Sequence, residues 1–139
     1  MSYLLDTNII SEPRRKRPNL KVKAWLAKQD ATDVYLSVIT LGEIQEGIGY
    51  LGNTKRAESL ATWLEGLRKA FSGRILPVSE EVMLIWGSLR GEAKRAGRPL
   101  PLVDSLLAAT ALSYDLTLVT RNTKDFTGVG VNLLNPWGD

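Results

Sequence analysis

YLLDTNII, residues 3–10, opens the chain with a short apolar run that stops at Asp6 and is followed by two small polar residues. An apolar run of this length predicts a buried strand. A carboxylate directly after such a strand lies at its carboxyl end, which is where ligands bind in open α/β sheets. Asp6, Thr7 or Asn8 could instead cap a helical turn that starts near Ile9. The stretch therefore predicts either a helix cap or a site residue.

Four more short apolar segments follow, and helical segments lie between most of them. The predicted strands are Tyr3–Asp6, Val34–Val38, Arg74–Val78, Leu116–Thr120 and Val131–Leu134. Helix caps are predicted at Asn19, Thr54 and Ser79. Strands without a polar face that alternate with helices indicate a mostly parallel sheet covered on both sides. The chain is therefore predicted to form one domain over residues 1–139, a three-layer α/β/α fold with about five strands.

Two residue types are missing from the composition, and this narrows the possible chemistry. With no cysteine and no histidine, the chain has no disulfide, no thiolate nucleophile, no imidazole base and no zinc-thiolate site. An enzyme of this composition would depend mainly on Asp, Glu, Lys, Tyr, Ser and Thr. Carboxylate and carbonyl oxygens favour hard cations such as Mg²⁺ or Mn²⁺.

Charge and hydropathy indicate a cytoplasmic protein without a membrane partner. The apolar runs are shorter than the ~20 residues that a membrane helix needs. Asp6 interrupts the first run and basic residues follow it, which is the reverse of the order in a signal peptide. The net charge of +3 and the pI near 9.3 mildly favour polyanionic partners.

Several acidic residues are predicted to meet at one edge of the sheet. Glu43 follows the second strand, although Thr40 and Glu43 also fit a capping box. Asp104 lies in the first turn of a helix, where the helix dipole alone would favour it, but the surrounding LVDSLLAAT is apolar. Asp125 follows the fourth strand and could be an ordinary surface acid. Carboxylates brought together in this way would repel one another unless a cation such as Mg²⁺ bound between them.

Basic residues form two groups. The first is RRKR, Arg14–Arg17, between Pro13 and Pro18, and the second comprises Arg90, Lys94, Arg95 and Arg98. Such runs are commonly solvated loops, and they indicate nucleic-acid contact only beside a centre that processes phosphates. Our candidates for phosphate contacts are Arg14, Arg15, Lys16, Arg17 and Arg121.

The ordered blocks of the chain resemble PIN-domain ribonucleases, specifically the VapC-type toxins of bacterial toxin–antitoxin pairs and their FitB-like branch. The resemblance spans nearly the whole chain and implies a PIN-like fold. It is carried by LLDTNIISE, YLSVITLGEIQEGI, GRILPV, PLVDSLLAATAL, LTLVTRNTKDF and the closing NPW.

The resemblance implies a set of site residues. It makes Asp6 and Asp104 the principal Mg²⁺ ligands, with Mn²⁺ as a substitute, and Glu43 the third acid. The fourth acidic position aligns with Asn122, which departs from the acid common in relatives, and Asp125 could supply the missing charge. Around these residues, Thr7 and Asn8 are expected to orient the Asp6 carboxylate, and Thr120 to support the site from the next strand.

The implied activity is magnesium-dependent endoribonuclease cleavage by the toxin of a VapBC-type pair. The implied partners are RNA, a VapB/FitA-like antitoxin and a second copy of the chain, with DNA bound only through the antitoxin. One alternative is a catalytically weak module that acts mainly in a DNA-binding repressor complex, which Asn122 leaves open. The other is a haloacid-dehalogenase-like phosphatase, although Asn8 occupies the position where that class needs a second aspartate.

Overall fold

The computed structural model describes residues 1–138 and contains five strands and six α-helices over that range. The strands β1 to β5 are Tyr3–Leu5, Val34–Ser37, Ile75–Leu76, Thr117–Val119 and Leu133–Leu134. The helices α1 to α6 are Thr7–Ser11, Leu20–Lys28, Val38–Leu51, Lys55–Ala70, Glu80–Arg95 and Leu102–Ser113. Short 3₁₀ turns occupy Glu12–Arg14, Ala31–Asp33 and Thr123–Phe126.

The five strands form one sheet in the order β3-β2-β1-β4-β5. Every neighbouring pair is parallel, which confirms the predicted α/β class. The chain fills one side of β1 first and then crosses to β4 on the other side, so the direction of winding reverses between β1 and β4. In open α/β sheets the crevice outside the carboxyl ends of two such strands is the usual ligand site.

Side chains alternate between the two faces of the sheet and thereby build two cores. Leu4 and Leu118 point into a cluster with Leu107 and Ala108 of α6. On the opposite face, Leu5 and its neighbours on the sheet pack with residues of α1 and α3, and side chains of α2 and α4 close over them. The sheet is thus covered by helices on both faces, as the three-layer prediction required.

The observed strands are shorter than the predicted ones, although all five exist. Val38 was predicted to end β2 but is the first residue of α3, and Asp6 and Thr120 lie just beyond β1 and β4. The prediction extended the strands because apolar or β-branched side chains continue past the last ladder bonds. The helices α3 and α4 pack against each other.

Helix caps follow the local sequence, with one correction. Asn19, Thr54 and Ser79 cap α2, α4 and α5 as predicted. Of the two alternatives for Glu43, the capping box with Thr40 does not form, because Ser37 accepts the Ile39 N–H and α3 starts at Val38. The backbone at Thr40 is therefore already helical, and within residues 1–138 its fully buried hydroxyl has no hydrogen-bond partner. No helix in the described part of the chain is long and apolar enough to cross a membrane.

Candidate functional site

Asp6 and Thr120 meet where β1 and β4 end. The Asp6 N–H continues the ladder to the Val119 carbonyl at 3.0 Å. One carboxylate oxygen of Asp6 accepts the Thr7 N–H at 2.7 Å and the other accepts the Thr120 hydroxyl at 2.8 Å. Asp6 is 7% exposed. The aspartate therefore caps α1, which confirms one of its two predicted roles, and its second carboxylate oxygen lies at the crevice.

Glu43 is joined to the same position through Thr7. The Thr7 hydroxyl donates to Glu43 Oε1 at 2.7 Å, while the Thr7 backbone N–H holds Asp6. Thr7 thus touches both acids, and the contact with Glu43 spans 36 residues of sequence. Since Ser37 rather than Thr40 caps α3, Glu43 is free of the capping box and is directed to the site.

Asp104 is the third acid, and it lies in the first turn of α6. Burial raises its pKa to about 6, and the charges of Asp6, Asp125 and Glu43 add to the increase. The acids at the end of β1, on α3 and in the 3₁₀ turn at Thr123–Phe126 therefore lie near enough to Asp104 on α6 for their charges to act on it. Asp104 therefore carries its charge at a place where other negative charges already accumulate.

The other two acids of the crevice are disfavoured as anions as well. Burial raises the pKa of Asp6, and the hydrogen bonds from Thr120 and Thr7 partly oppose this. Burial also raises the pKa of Glu43, with further increases from Asp6 and Glu46, against the lowering effect of the Thr7 hydroxyl. Three raised carboxyl pKa values at one sheet edge are typical of functional sites.

The loop after β4 contributes Asn122 and Asp125. The Asn122 N–H donates to the Thr120 hydroxyl at 3.1 Å, and the Asn122 carbonyl accepts the Asp125 N–H at 3.0 Å. Both residues are exposed. The charge of Asp125 contributes to the raised pKa of Asp104. Asn122 instead offers the uncharged carbonyl oxygen of its side-chain amide. The Asn8 side chain lies beside this loop and accepts the Arg121 N–H at 3.4 Å.

The predicted phosphate contacts are placed in two locations. Arg121 immediately follows Thr120 at the crevice, and its guanidinium stacks over Trp137 at 5.2 Å from the ring centroid. Arg14 stacks over Trp63 at 4.5 Å and donates to Ser59. The rest of the basic loop is exposed and consists of Arg15, Lys16 and Arg17.

Sequence reasoning missed Glu12, which organises this basic loop. Glu12 is 4% exposed, accepts the Asn19 N–H at 2.8 Å and pairs with Arg15 at 3.4 Å. The loop Pro13–Pro18 is thus closed around a buried carboxylate. The sequence feature that could have identified Glu12 is an acidic residue directly before Pro13 and a run of four basic residues. Asn135 and Trp137 were also missed as individual residues, although they belong to the NPW block.

The ligand chemistry of the crevice suits a hard cation. Among residues 1–138 the ion pairs are Arg15 with Glu12 and Arg68 with Glu65, so no described cation neutralises the crevice acids directly. No group of three or more Asp, Glu, His or Cys residues in that range is arranged to hold a metal ion. Mg²⁺ is usually bound by one or two carboxylates together with waters and substrate phosphates. A two-carboxylate site therefore fits these residues, whereas a complete protein cage does not.

Comparisons with known proteins agree with the fold and the order of the motifs. The PIN domain family matches residues 3–131. The chain is 44% identical over 137 residues to Toxin FitB of Neisseria gonorrhoeae, which covers 98% of this chain and 99% of that protein. It is 34% identical over 135 residues to VapC ribonuclease Y4jK of Sinorhizobium fredii, which covers 96% of both. A solved structure of FitAB bound to an IR36 DNA fragment superposes with a TM-score of 0.91 at 41% identity and covers 99% of this chain and 96% of that one.

Proposed function

The chain belongs to the PIN-domain family, and on that premise we propose that it is a magnesium-dependent endoribonuclease, the toxin of a VapBC-type toxin–antitoxin pair. Support comes from relatives that are named a toxin and a ribonuclease. The observation that carries the proposal is the crevice between β1 and β4, where burial and then the charges of neighbouring acids raise the pKa values of Asp104 and Glu43. Such a site lowers its free energy by binding a divalent cation.

Asp6 and Asp104 would hold the ion, with Mn²⁺ as a possible substitute for Mg²⁺. A bound Mg²⁺ would polarise a phosphate oxygen and lower the pKa of water, which supplies a nucleophile without histidine. Thr120 and Thr7 fix both oxygens of Asp6, so little side-chain freedom remains to be lost on binding. The candidates for the fourth acidic position are the Asp125 carboxylate and the side-chain carbonyl oxygen of Asn122.

Glu43 is the candidate proton acceptor. Thr7 holds Oε1, which leaves Oε2 to take a proton from an attacking water. Burial raises the pKa of Glu43, and a general base works best when its pKa approaches the working pH. The step that this side chain supports is hydrolysis of a phosphodiester. The proton moves from water to Glu43 as the new P–O bond forms, while the P–O bond to the leaving ribose oxygen breaks and that oxygen takes a proton from solvent.

The substrate proposed is single-stranded or looped RNA, because its backbone and bases are accessible. Arg121 lies at the crevice, and the basic loop supplies Arg15, Lys16 and Arg17 on the exposed surface. Arg14 is already stacked on Trp63, so its first role is to tether the loop to α4.

The proposed partners are a VapB/FitA-like antitoxin and a second copy of the chain, in the cytoplasm. The similarity to a FitAB complex bound to DNA supports DNA binding through the antitoxin. It also favours a second candidate function, a repressor-complex module with weak catalysis, because the uncharged Asn122 occupies the position that the resemblance assigns to a fourth acid. The phosphatase alternative has no support, since the PIN domain match covers residues 3–131.

Cleavage of a short single-stranded RNA by the purified, antitoxin-free chain tests the proposal. We expect cleavage with Mg²⁺ and none with a chelator. Asp6→Asn and Asp104→Asn should each reduce the rate by roughly a hundredfold or more, since each removes a charge from the metal site. Asp30→Asn is the matched control, because Asp30 is exposed and lies before the 3₁₀ turn at Ala31–Asp33.

Intact RNA under all metal conditions, with normal binding to an antitoxin–DNA complex, would favour the repressor-complex module. Cleavage that persists in the chelator would contradict the metal-dependent mechanism.

A further inference from the structure

The segment after β5 folds back against the loop that follows β4. Asn135 Oδ1 accepts the Trp137 N–H at 2.9 Å, and Asn135 Nδ2 donates to the Arg121 carbonyl at 3.4 Å. The Asn135 carbonyl accepts the Gly138 N–H at 3.1 Å, which closes a turn. Residues that are 14 positions apart in sequence are thereby tied together at the edge of the crevice.

Arg121 is held at both ends of its backbone and along its side chain. Its N–H donates to Asn8, its carbonyl accepts from Asn135, and its guanidinium stacks over Trp137. The preceding residue, Thr120, donates to the Asp6 carboxylate. The Arg121 backbone therefore follows directly on the residue that holds Asp6, and the Trp137 ring restricts the freedom of its cationic side chain.

Trp137 is itself fixed by packing. Its side chain packs against the core cluster that includes Leu5 and Val119. Tyr3 and Trp25 pack against the same cluster, and their rings meet edge to face at 5.0 Å. Gly138 has φ +86, a conformation that side chains rarely adopt, and the Lys21 ammonium lies 3.3 Å from the position that a β-carbon would take. The turn that presents the Trp137 ring thus depends on glycine and stays close to α2.

We propose that Arg121, stacked on Trp137, forms a phosphate-binding subsite for the RNA strand beside the cleaved bond, and that Trp137 is its positioning residue. This inference rests on the proposed ribonuclease function. The acidic crevice repels a polyanion, so a cation fixed at its edge would offset that repulsion for one flanking phosphate. A guanidinium binds phosphate through two parallel N–H groups, and stacking on an aromatic face restricts its orientation before the ligand arrives.

The basic loop does not provide the same arrangement. Arg14 also stacks on a tryptophan, but it donates to Ser59 and thereby links the loop to α4. Arg121, in contrast, uses its backbone for the tethering contacts. Within residues 1–138 its guanidinium donates to no acceptor, which leaves those N–H groups for a ligand. An acidic protein segment could also bind a guanidinium, but the adjoining site for the cleaved phosphate favours RNA.

Binding of a short single-stranded RNA, measured against salt concentration in the presence of a chelator, separates affinity from catalysis. Arg121→Ala should reduce the salt slope by about one, the contribution of one phosphate contact. Trp137→Leu keeps an apolar side chain but loses the aromatic face, and it should weaken binding about two- to fivefold. Trp137→Phe keeps an aromatic face and should therefore retain most of the RNA affinity that Trp137→Leu loses. In cleavage assays with Mg²⁺, Arg121→Ala and Trp137→Leu should each raise KM and leave kcat nearly unchanged.

The double variant Arg121→Ala/Trp137→Leu is the decisive measurement, because a residue that acts through Arg121 has no further effect once Arg121 is gone. Lys69→Ala is the matched control for loss of charge. Lys69 is exposed near the end of α4, which precedes β3. Because β3 forms the edge of the sheet opposite to β5, Lys69 is remote from the proposed subsite. Its salt slope should equal that of the unaltered chain.

Additive effects of the two substitutions on an active enzyme would overturn the subsite alone. The subsite is also overturned if Arg121→Ala leaves the salt slope unchanged while weakening binding to an antitoxin, which would assign Arg121 to a protein partner. Absence of RNA binding by the unaltered chain would overturn the subsite and the ribonuclease function together.

Discussion

Asp104 shows how a single residue combines a stability cost with a functional role. The carboxyl group lies in the first turn of α6, where the helix dipole favours an anion. Burial and three neighbouring acids nevertheless raise its pKa to about 6 from the ordinary 3.8. Burial and repulsion therefore outweigh the stabilising effect of the helix dipole on the Asp104 anion. As a result, the Asp104 carboxyl group binds its proton more tightly in the folded chain than in the unfolded chain.

The sign of the pH dependence follows from this difference. Between pH values near 4 and 6 the folded state binds more protons at Asp104 than the unfolded state, so the free energy of unfolding falls as the pH rises. Asp104→Asn should raise that free energy at neutral pH by about 1 kcal/mol, once solvent screening of a partly exposed group is allowed for. Near pH 4 the substitution should change little.

Urea unfolding at the two pH values measures this effect. An equal gain in stability at both would show that the substitution acts through packing and not through charge.

At the scale of helices and strands, α3 links the sheet to the site. Ser37 ends β2 and caps α3 with a 3.0 Å hydrogen bond to the Ile39 N–H, and Glu43 follows less than two turns later. Ser37→Ala should lower the free energy of unfolding by about 1 kcal/mol, the usual cost of losing a cap. It should also slow RNA cleavage, because the first turn of α3 sets the position of Glu43.

Thr54→Ala is the matched control. Thr54 caps α4 through the Ala57 N–H, and α4 carries none of the crevice acids, so we expect a similar loss of stability with nearly unchanged cleavage. Denaturant unfolding and a cleavage assay on both variants make the comparison. Equal effects on cleavage would show that activity depends only on global stability.

The elements also show what the sequence could predict. Asp6 and Thr120 follow apolar runs whose strand character is local, so their place at the sheet edge followed from the alternation of strands and helices. The Thr7 contact with Glu43 and the Asn135 contact with Arg121 join residues 36 and 14 positions apart. Such contacts depend on tertiary packing, which no periodicity encodes. The cap of α3 was misassigned because Ser37 and Thr40 are both good capping residues, and the end of β2 decides between them.

For the molecule as a whole, stability and metal binding should be coupled through the crevice. Asp6, Glu43 and Asp104 all have raised pKa values in the folded chain, so at neutral pH their charges destabilise the fold. A cation that binds only the folded state adds stability by mass action, about 1.4 kcal/mol at ten times its Kd. For a chain of 139 residues this corresponds to a rise in Tm of roughly 3 to 5 °C.

The rise should depend on pH in a defined direction. Near pH 7.5 Asp104 is ionised and Mg²⁺ should raise Tm, whereas near pH 5 protons occupy Asp104 and compete with the ion. Asp6→Asn and Asp104→Asn should abolish the Mg²⁺-dependent rise, and Asp30→Asn should retain it. Thermal unfolding with Mg²⁺ and with a chelator at both pH values provides the measurement. A Mg²⁺-dependent rise in Tm of the same size at both pH values, or one that survives Asp104→Asn, would place the bound ion outside the crevice. The crevice acids would then not be the metal ligands.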